Sequence, residues 1–217
     1  MDILILRLEG VLQRWGERSR WDFRDTATVP TKSGVIGLLA CALGYPRGDD
    51  RIFALEEALK YGVRVDRAGQ LMIDYHTVTT DQKSMIAATG SFRVGGPTII
   101  TPRQYLQDAC FTVALEGERS LLLECLEALK NPKWQIFLGA KACVPSRPVF
   151  EGIVTEFVSL ENALKAYPLA KRSDEAKVAY IEVEDAKGAL IRYDVPKKGR
   201  HREYGQRNAR RILGGGE

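Results

Sequence analysis

The chain has 217 residues, enough for one domain of ordinary size with an appendage, or for two small domains. A hydrophobic share of 45% beside 28% charged residues is the mix of a soluble globular protein, and no apolar run approaches a membrane span. The formal charge of +4 decides nothing by its size, but its distribution is uneven. Arg14, Arg18, Arg20 and Arg24 crowd one early segment, and Lys197, Lys198, Arg200, Arg202, Arg207, Arg210 and Arg211 crowd the tail. Both segments are candidates for meeting a polyanion, against the ordinary alternative of solvated loop arginines.

Ile3 to Leu8 reads as a strand, followed by a long loop through Val29. Gly34 to Leu43 reads as a helix with both ends marked: Pro30 and Thr31 suit its start, Gly44 a left-handed cap, and Pro46 blocks continuation. Gly34 and Gly37 inside it each cost about 1 kcal/mol relative to Ala, which predicts close packing of this helix against a neighbour.

A short helix is expected over 52–60 and extended segments over 62–66 and 71–78, joined by a turn at 67–70. From Thr79 to Pro102 the periodicity disappears among Thr, Gly, Ser and Pro, and a connection this long is usually functional. A strand returns over 103–115, centred on Cys110 to Leu115. A helix follows over 118–130 with Leu122, Leu123, Leu126 and Leu129 on one face, and a strand over 149–154. The order strand, helix, strand, strand, helix, strand is that of an α+β, ferredoxin-like (RRM-like) βαββαβ domain. It spans 1–158 with a long hairpin insert, and fold alone does not assign a function. From Ser159 a small C-terminal β-rich unit is expected over 159–217: a helix over 160–167, a hairpin of 178–184 and 189–195, and the basic tail, ending in a loose Gly-rich stretch.

The four cysteines, Cys41, Cys110, Cys125 and Cys143, stand apart among apolar neighbours and read as buried thiols. With two histidines far from them, no metal site is expected. No acidic cluster or phosphate-cradling glycine motif marks a two-metal nuclease or a nucleotide hydrolase, and no cofactor is implied. Met1-Asp2-Ile3-Leu4 shows no secretory pattern, so the expected location is cytoplasmic.

Several stretches, taken in order, resemble the CasD family in its type I-E branch. They are 8–16, from Leu8-Glu9-Gly10 to Trp15-Gly16; 30–39, from Pro30-Thr31-Lys32-Ser33-Gly34 to Leu39; Asp74-Tyr75-His76-Thr77-Val78; Pro102-Arg103-Gln104-Tyr105-Leu106; 108–115; and Leu138-Gly139-Ala140-Lys141. The similarity runs from the first strand through the glycine-containing loop and fades after Phe157, apart from the basic end.

The resemblance implies membership of the repeat-associated RNA-binding (RAMP) superfamily and assembly into the CRISPR complex Cascade, an antiviral defence. There the subunit would hold the 5′ handle of the crRNA and cap one end of the backbone. Its implied partners are the backbone subunit CasC and the large subunit CasA, with contact to target DNA left open and no membrane. The family's thumb corresponds to about 79–103. Members of this branch usually leave RNA cutting to a sister subunit, so no catalytic residue is assigned.

Within that frame Thr31, Lys32 and Ser33 at a helix start suit a phosphate, a plain helix cap being the competing reading. Gln13, Arg14, Trp15 and Gly16 lie on the first loop, where an indole face stacks on a base unless it packs beneath its own loop. Arg93, Arg103, Gln104 and Tyr105 lie in or beside the insert and fit a kinked RNA backbone. Lys141 and Arg147 lie in the later loop. Tyr75 and His76 complete the RNA-binding candidates. His76, with Tyr75 and Lys141, is also the set that a metal-independent endoribonuclease processing repeat RNA would use. A mainly structural adaptor between subunits is the third reading.

Overall fold

The computed structural model describes residues 1–18, 22–81, 85–86, 90–91, 96–171, 178–198 and 203–213. Arg93 and the tail's Arg200 and Arg202 fall outside them. In chain order the elements are β1 (Ile3–Glu9), β2 (Leu12–Gln13), α1 (Lys32–Leu43), α2 (Asp50–Ala58), β3 (Lys60–Arg67), β4 (Gln70–Thr79), β5 (Thr98–Gln107), β6 (Cys110–Glu116), α3 (Arg119–Lys130), β7 (Phe150–Val154), α4 (Leu160–Ala166), β8 (Tyr180–Glu184), β9 (Leu190–Lys197) and β10 (Glu203–Leu213). The fold is α+β, with two antiparallel sheets of orders β7-β1-β6-β3-β8-β10-β9 and β2-β5-β4.

The first strand shows why its sequence lacks clean alternation: both of its faces are covered. Leu4, Leu6 and Leu8 point toward α1 and α3, in a core with Val63, Phe111, Ile36, Leu39, Leu122 and Leu129. Ile3 and Ile5 point the other way, toward Leu160, Ala163 and Leu164 of α4. Arg7 continues that second face and is buried. It meets Asp66 and Thr112, and Asp66 also receives Arg64 Nε at 2.6 Å and the Ala170 N–H at 3.0 Å. This charged knot ties the segment after α4 to the sheet.

Helix α1 has the ends its sequence predicts. Thr31 Oγ1 accepts from the Gly34 N–H, and Gly44, at φ 78°, returns its N–H to the last turn. Gly34 is packed closely: a Cβ there would come within 2.9 Å of the Trp15 ring. Gly37 differs from expectation, since a Cβ there would meet nothing within 4 Å.

Three expectations change. The strand that follows the pattern-poor stretch begins earlier than expected, at Thr98 rather than Arg103. β4 and β5 pair in continuous register from Gln70↔Gln107 to Thr79↔Thr98, so the insert is a ribbon whose strands reach beyond the expected bounds. Residues 103–115 are two strands in different sheets, broken at Asp108 with φ 55°. Finally, β8 and β9 do not pair with one another. β10 lies between them and β8 pairs with β3, so the C-terminal strands continue the main sheet, and the tail from Glu203 to Leu213 is a strand.

Candidate nucleic-acid interface

Three segments meet at the base of the β4–β5 ribbon. The loop after β2 enters beside β5, where the Arg24 N–H donates to the Pro102 carbonyl at 3.0 Å and Arg24's carbonyl accepts from the Gln104 N–H at 2.7 Å. Arg24 and Arg103 are thereby parallel bridge partners. The third segment is the loop between α3 and β7. Its Leu138 carbonyl accepts from the Arg14 N–H at 3.1 Å, and Gly139 sits at φ 80°, where a Cβ would run into Arg14's carbonyl. Glycine is needed there for the backbone conformation and for the approach.

The sequence-predicted residues divide sharply. Gln13 is fully buried; its amide donates to the carbonyls of Leu8 and Ala109 and accepts from the Trp15 indole N–H at 3.0 Å. Trp15 is 1% exposed, its ring against Gly34. The open stacking face expected of Trp15 is therefore absent, because the ring is core. Gly16 is exposed.

Lys32 is also corrected. It is 3% exposed, with its ammonium 2.6 Å from Glu56 and 3.0 Å from Glu184, while its backbone N–H donates to Asp194 at 2.7 Å. The helix start does attract anions, and the chain's own carboxylates already occupy it. Thr31 is the cap and is buried, and Ser33 is half-buried with its hydroxyl 3.4 Å from Thr31.

The ribbon has two unlike faces, because opposed residues of an antiparallel pair share a face. One carries Arg103, opposite Asp74, with His76 and Thr101 to one side and Met72 and Tyr105 to the other. There Arg14 lies over the buried Tyr105 ring at 5.6 Å, Arg103 Nε donates to Thr101 Oγ1 at 3.3 Å, and His76 Nδ1 is 3.6 Å from Asp74. Gln104 points away and its side chain accepts from the Thr26 N–H at 3.4 Å. The opposite face exposes Leu71, Ile73, Tyr75 and Ile100. Tyr75, 67% exposed, and His76 are consecutive in β4 and point to opposite faces, so they do not converge on one bond as an acid–base pair needs.

Lys141 is exposed beside the ribbon's loop partner, and its charge opposes the rise that burial imposes on the Cys41 thiol. Burial likewise pushes the Cys143 thiol up, with Arg14 opposing it. Arg147 pairs with Glu151 at 2.6 Å. All four cysteines are free thiols. Among the described residues no three His, Cys, Asp or Glu side chains are grouped to hold a metal, and no helix is long and apolar enough to cross a membrane.

Carboxylate pairing singles out what sequence reading missed. Most described arginines have an acidic partner. In the basic tail Arg207 pairs with Asp194, Arg210 with Glu161 and Asp185, and Arg211 with Glu182, while Lys198 pairs with Asp50. Among the described residues those without one are Arg14, Arg18, Arg24, Arg47 and Arg103. All but Arg47 belong to the loop after β2 or to the ribbon it clips. The crowding of early arginines was the available signal for Arg24, and its pairing with Arg103 was not.

Comparison with known proteins follows the same outline. The family described as CRISPR-associated protein (Cas_Cas5) matches residues 3–210. The CRISPR system Cascade subunit CasD of Escherichia coli (strain K12) is 35% identical over 159 residues, 69% of this chain and 70% of that protein. A chain of a solved CRISPR RNA-guided surveillance complex superposes with a TM-score of 0.78 at 33% identity, covering 98% of this chain and 90% of that one. A crystal structure of a Cas protein gives 0.71 at 36%, covering 98% and 94%.

Proposed function

The chain belongs to the CRISPR-associated Cas5 family, and from that premise we propose that it is the Cascade subunit that holds the 5′ handle of the guide RNA without cutting it. The observation that carries this reading is the concentration of arginines lacking carboxylate partners at the base of the β4–β5 ribbon. A polyanion supplies the missing charge, releasing its counterions as it binds. We read the order β7-β1-β6-β3, with α1 and α3 on one face, as a ferredoxin-like platform and the ribbon as the thumb.

In this reading Arg14, Arg24, Arg103 and His76 line the RNA side, with Lys141 at its margin. The exposed face with Leu71, Ile73 and Tyr75 is turned toward protein. The family resemblance implies the partners of this reading, the backbone subunit CasC and the large subunit CasA, and a cytoplasmic location. Separation of Tyr75 from His76 favours holding over cleavage.

The test is incubation of the purified chain with labelled repeat RNA and a chelator at two salt concentrations, scoring shift and cleavage together. Binding that weakens steeply with salt and leaves the RNA intact is expected. Site-specific cleavage that His76→Ala abolishes would replace this reading with a processing endoribonuclease.

A further inference from the structure

We infer that Arg24 and Arg103 form a two-guanidinium clamp for a single backbone phosphate of the bound RNA, an inference that rests on the RNA-holding reading above. The main-chain clip makes the two residues parallel neighbours, with Arg24 N–H on Pro102 and Gln104 N–H on Arg24. Bridge partners on adjacent strands lie about 4.8 Å apart and direct their side chains to the same face. Two like charges held side by side and half-buried repel one another unless an anion sits between them.

The described residues of the protein do not supply that anion. Among the described residues neither guanidinium has a carboxylate partner. Asp74, the residue opposite Arg103 in β4, lies instead 3.6 Å from His76. Thr101 Oγ1 accepts a hydrogen bond from the Arg103 Nε–H at 3.3 Å, which fixes the plane of the guanidinium and leaves its terminal nitrogens available. Arg14, over Tyr105 two residues along the same face, extends the cationic row. Guanidinium forks match phosphate oxygens in a bidentate manner, so a phosphodiester is the ligand that fits. The clip is built from backbone atoms, so replacing either side chain leaves the scaffold in place.

The test uses the full chain, single-stranded repeat RNA and the variants Arg24→Gln, Arg103→Gln and the double variant, with Arg47→Gln as control, after confirming unchanged thermal melts. Each single substitution in the pair is expected to weaken binding about ten- to a hundredfold, the double to be little worse than either single, and the control to bind as wild type. RNAs carrying one neutral methylphosphonate linkage at successive positions then identify the phosphate. One linkage should weaken wild-type binding and add nothing to either variant. Additive losses mapped to two separate linkages would overturn the clamp in favour of two independent contacts. Wild-type affinity in both variants, with salt-sensitive binding intact, would overturn the clamp and spare the RNA reading. Failure of the wild-type chain to bind RNA would overturn both.

Discussion

The start of α1 and the base of the β4–β5 ribbon look alike as sequence, each a basic residue just after a proline and a threonine, and the structure treats them in opposite ways. Around α1 the charges are closed on themselves. Lys32 meets Glu56 and Glu184, Asp194 takes the Lys32 N–H, and Arg207 pairs with Asp194 while lying over the buried Tyr61 ring at 5.0 Å. At the ribbon Arg24 and Arg103 stand together and, among the described residues, neither has a carboxylate ion pair. A buried cation that is already paired holds elements together, whereas a half-buried one without a partner is left to bind something else. Counting basic residues therefore does not single out a candidate interface; asking which of them lack a partner does.

The contrast can be broken most forcefully at Asp194. Asp194→Ala removes the carboxylate that both Arg207 and the Lys32 N–H bond, leaving Arg207 only the longer contact of 3.7 Å to Glu182, and is expected to cost about 3–5 kcal/mol, read as a lowered urea midpoint. Arg103→Ala should leave the midpoint within about 0.5 kcal/mol. Equal losses from the two would show that the ribbon arginine is structural as well. Trp15→Ala tests the core assignment of the indole and should cost about 3–5 kcal/mol by the same assay, any loss of RNA affinity tracking the unfolded fraction. Undiminished stability with weakened binding would restore the stacking role.

Smaller effects sharpen the packing difference inside α1. Gly34→Ala pushes a methyl against the Trp15 ring and should destabilise by about 1–3 kcal/mol, while Gly37→Ala, with open space around it, should stabilise by about 0.5–1 kcal/mol. The least effect is expected at the buried thiols. Burial pushes Cys110 and Cys125 up to about 12, so at about pH 8 both are almost wholly protonated. Neither should react with an alkylating reagent until denaturant is added, as mass spectrometry of the labelled peptides would show.

Local signals are legible wherever the physics is local. Thr31 and Gly44 mark the ends of α1 because capping hydrogen bonds and a positive φ involve residues within a turn of one another. The run Ile3 to Leu8 is readable as a strand, but Arg7 within it is not readable as a buried ion, since its partner Asp66 belongs to β3. The start of β5, from Thr98 to Pro102, is hard to see because it mixes exposed apolar residues such as Ile100 with threonine and proline, so neither face shows a clean alternation. The C-terminal hairpin is misread for a related reason: the turn at Asp185 to Gly188 points to β8 and β9 as neighbours, and only the full sheet inserts β10 between them.

The sequence by itself determined where the helices lie, both caps of α1, the strands of the central sheet other than β10 and, through the order of its motifs, the family. Tertiary structure decided which of the residues marked for RNA are open to it. Trp15, Gln13 and Lys32 are enclosed, and Arg24 joins Arg103. The physical reason is range. Capping and periodicity act within a few residues, but an ion pair such as Lys32 with Glu184, or a bridge such as Arg24 with Arg103, joins positions far apart in the chain and exists only once the sheet has formed.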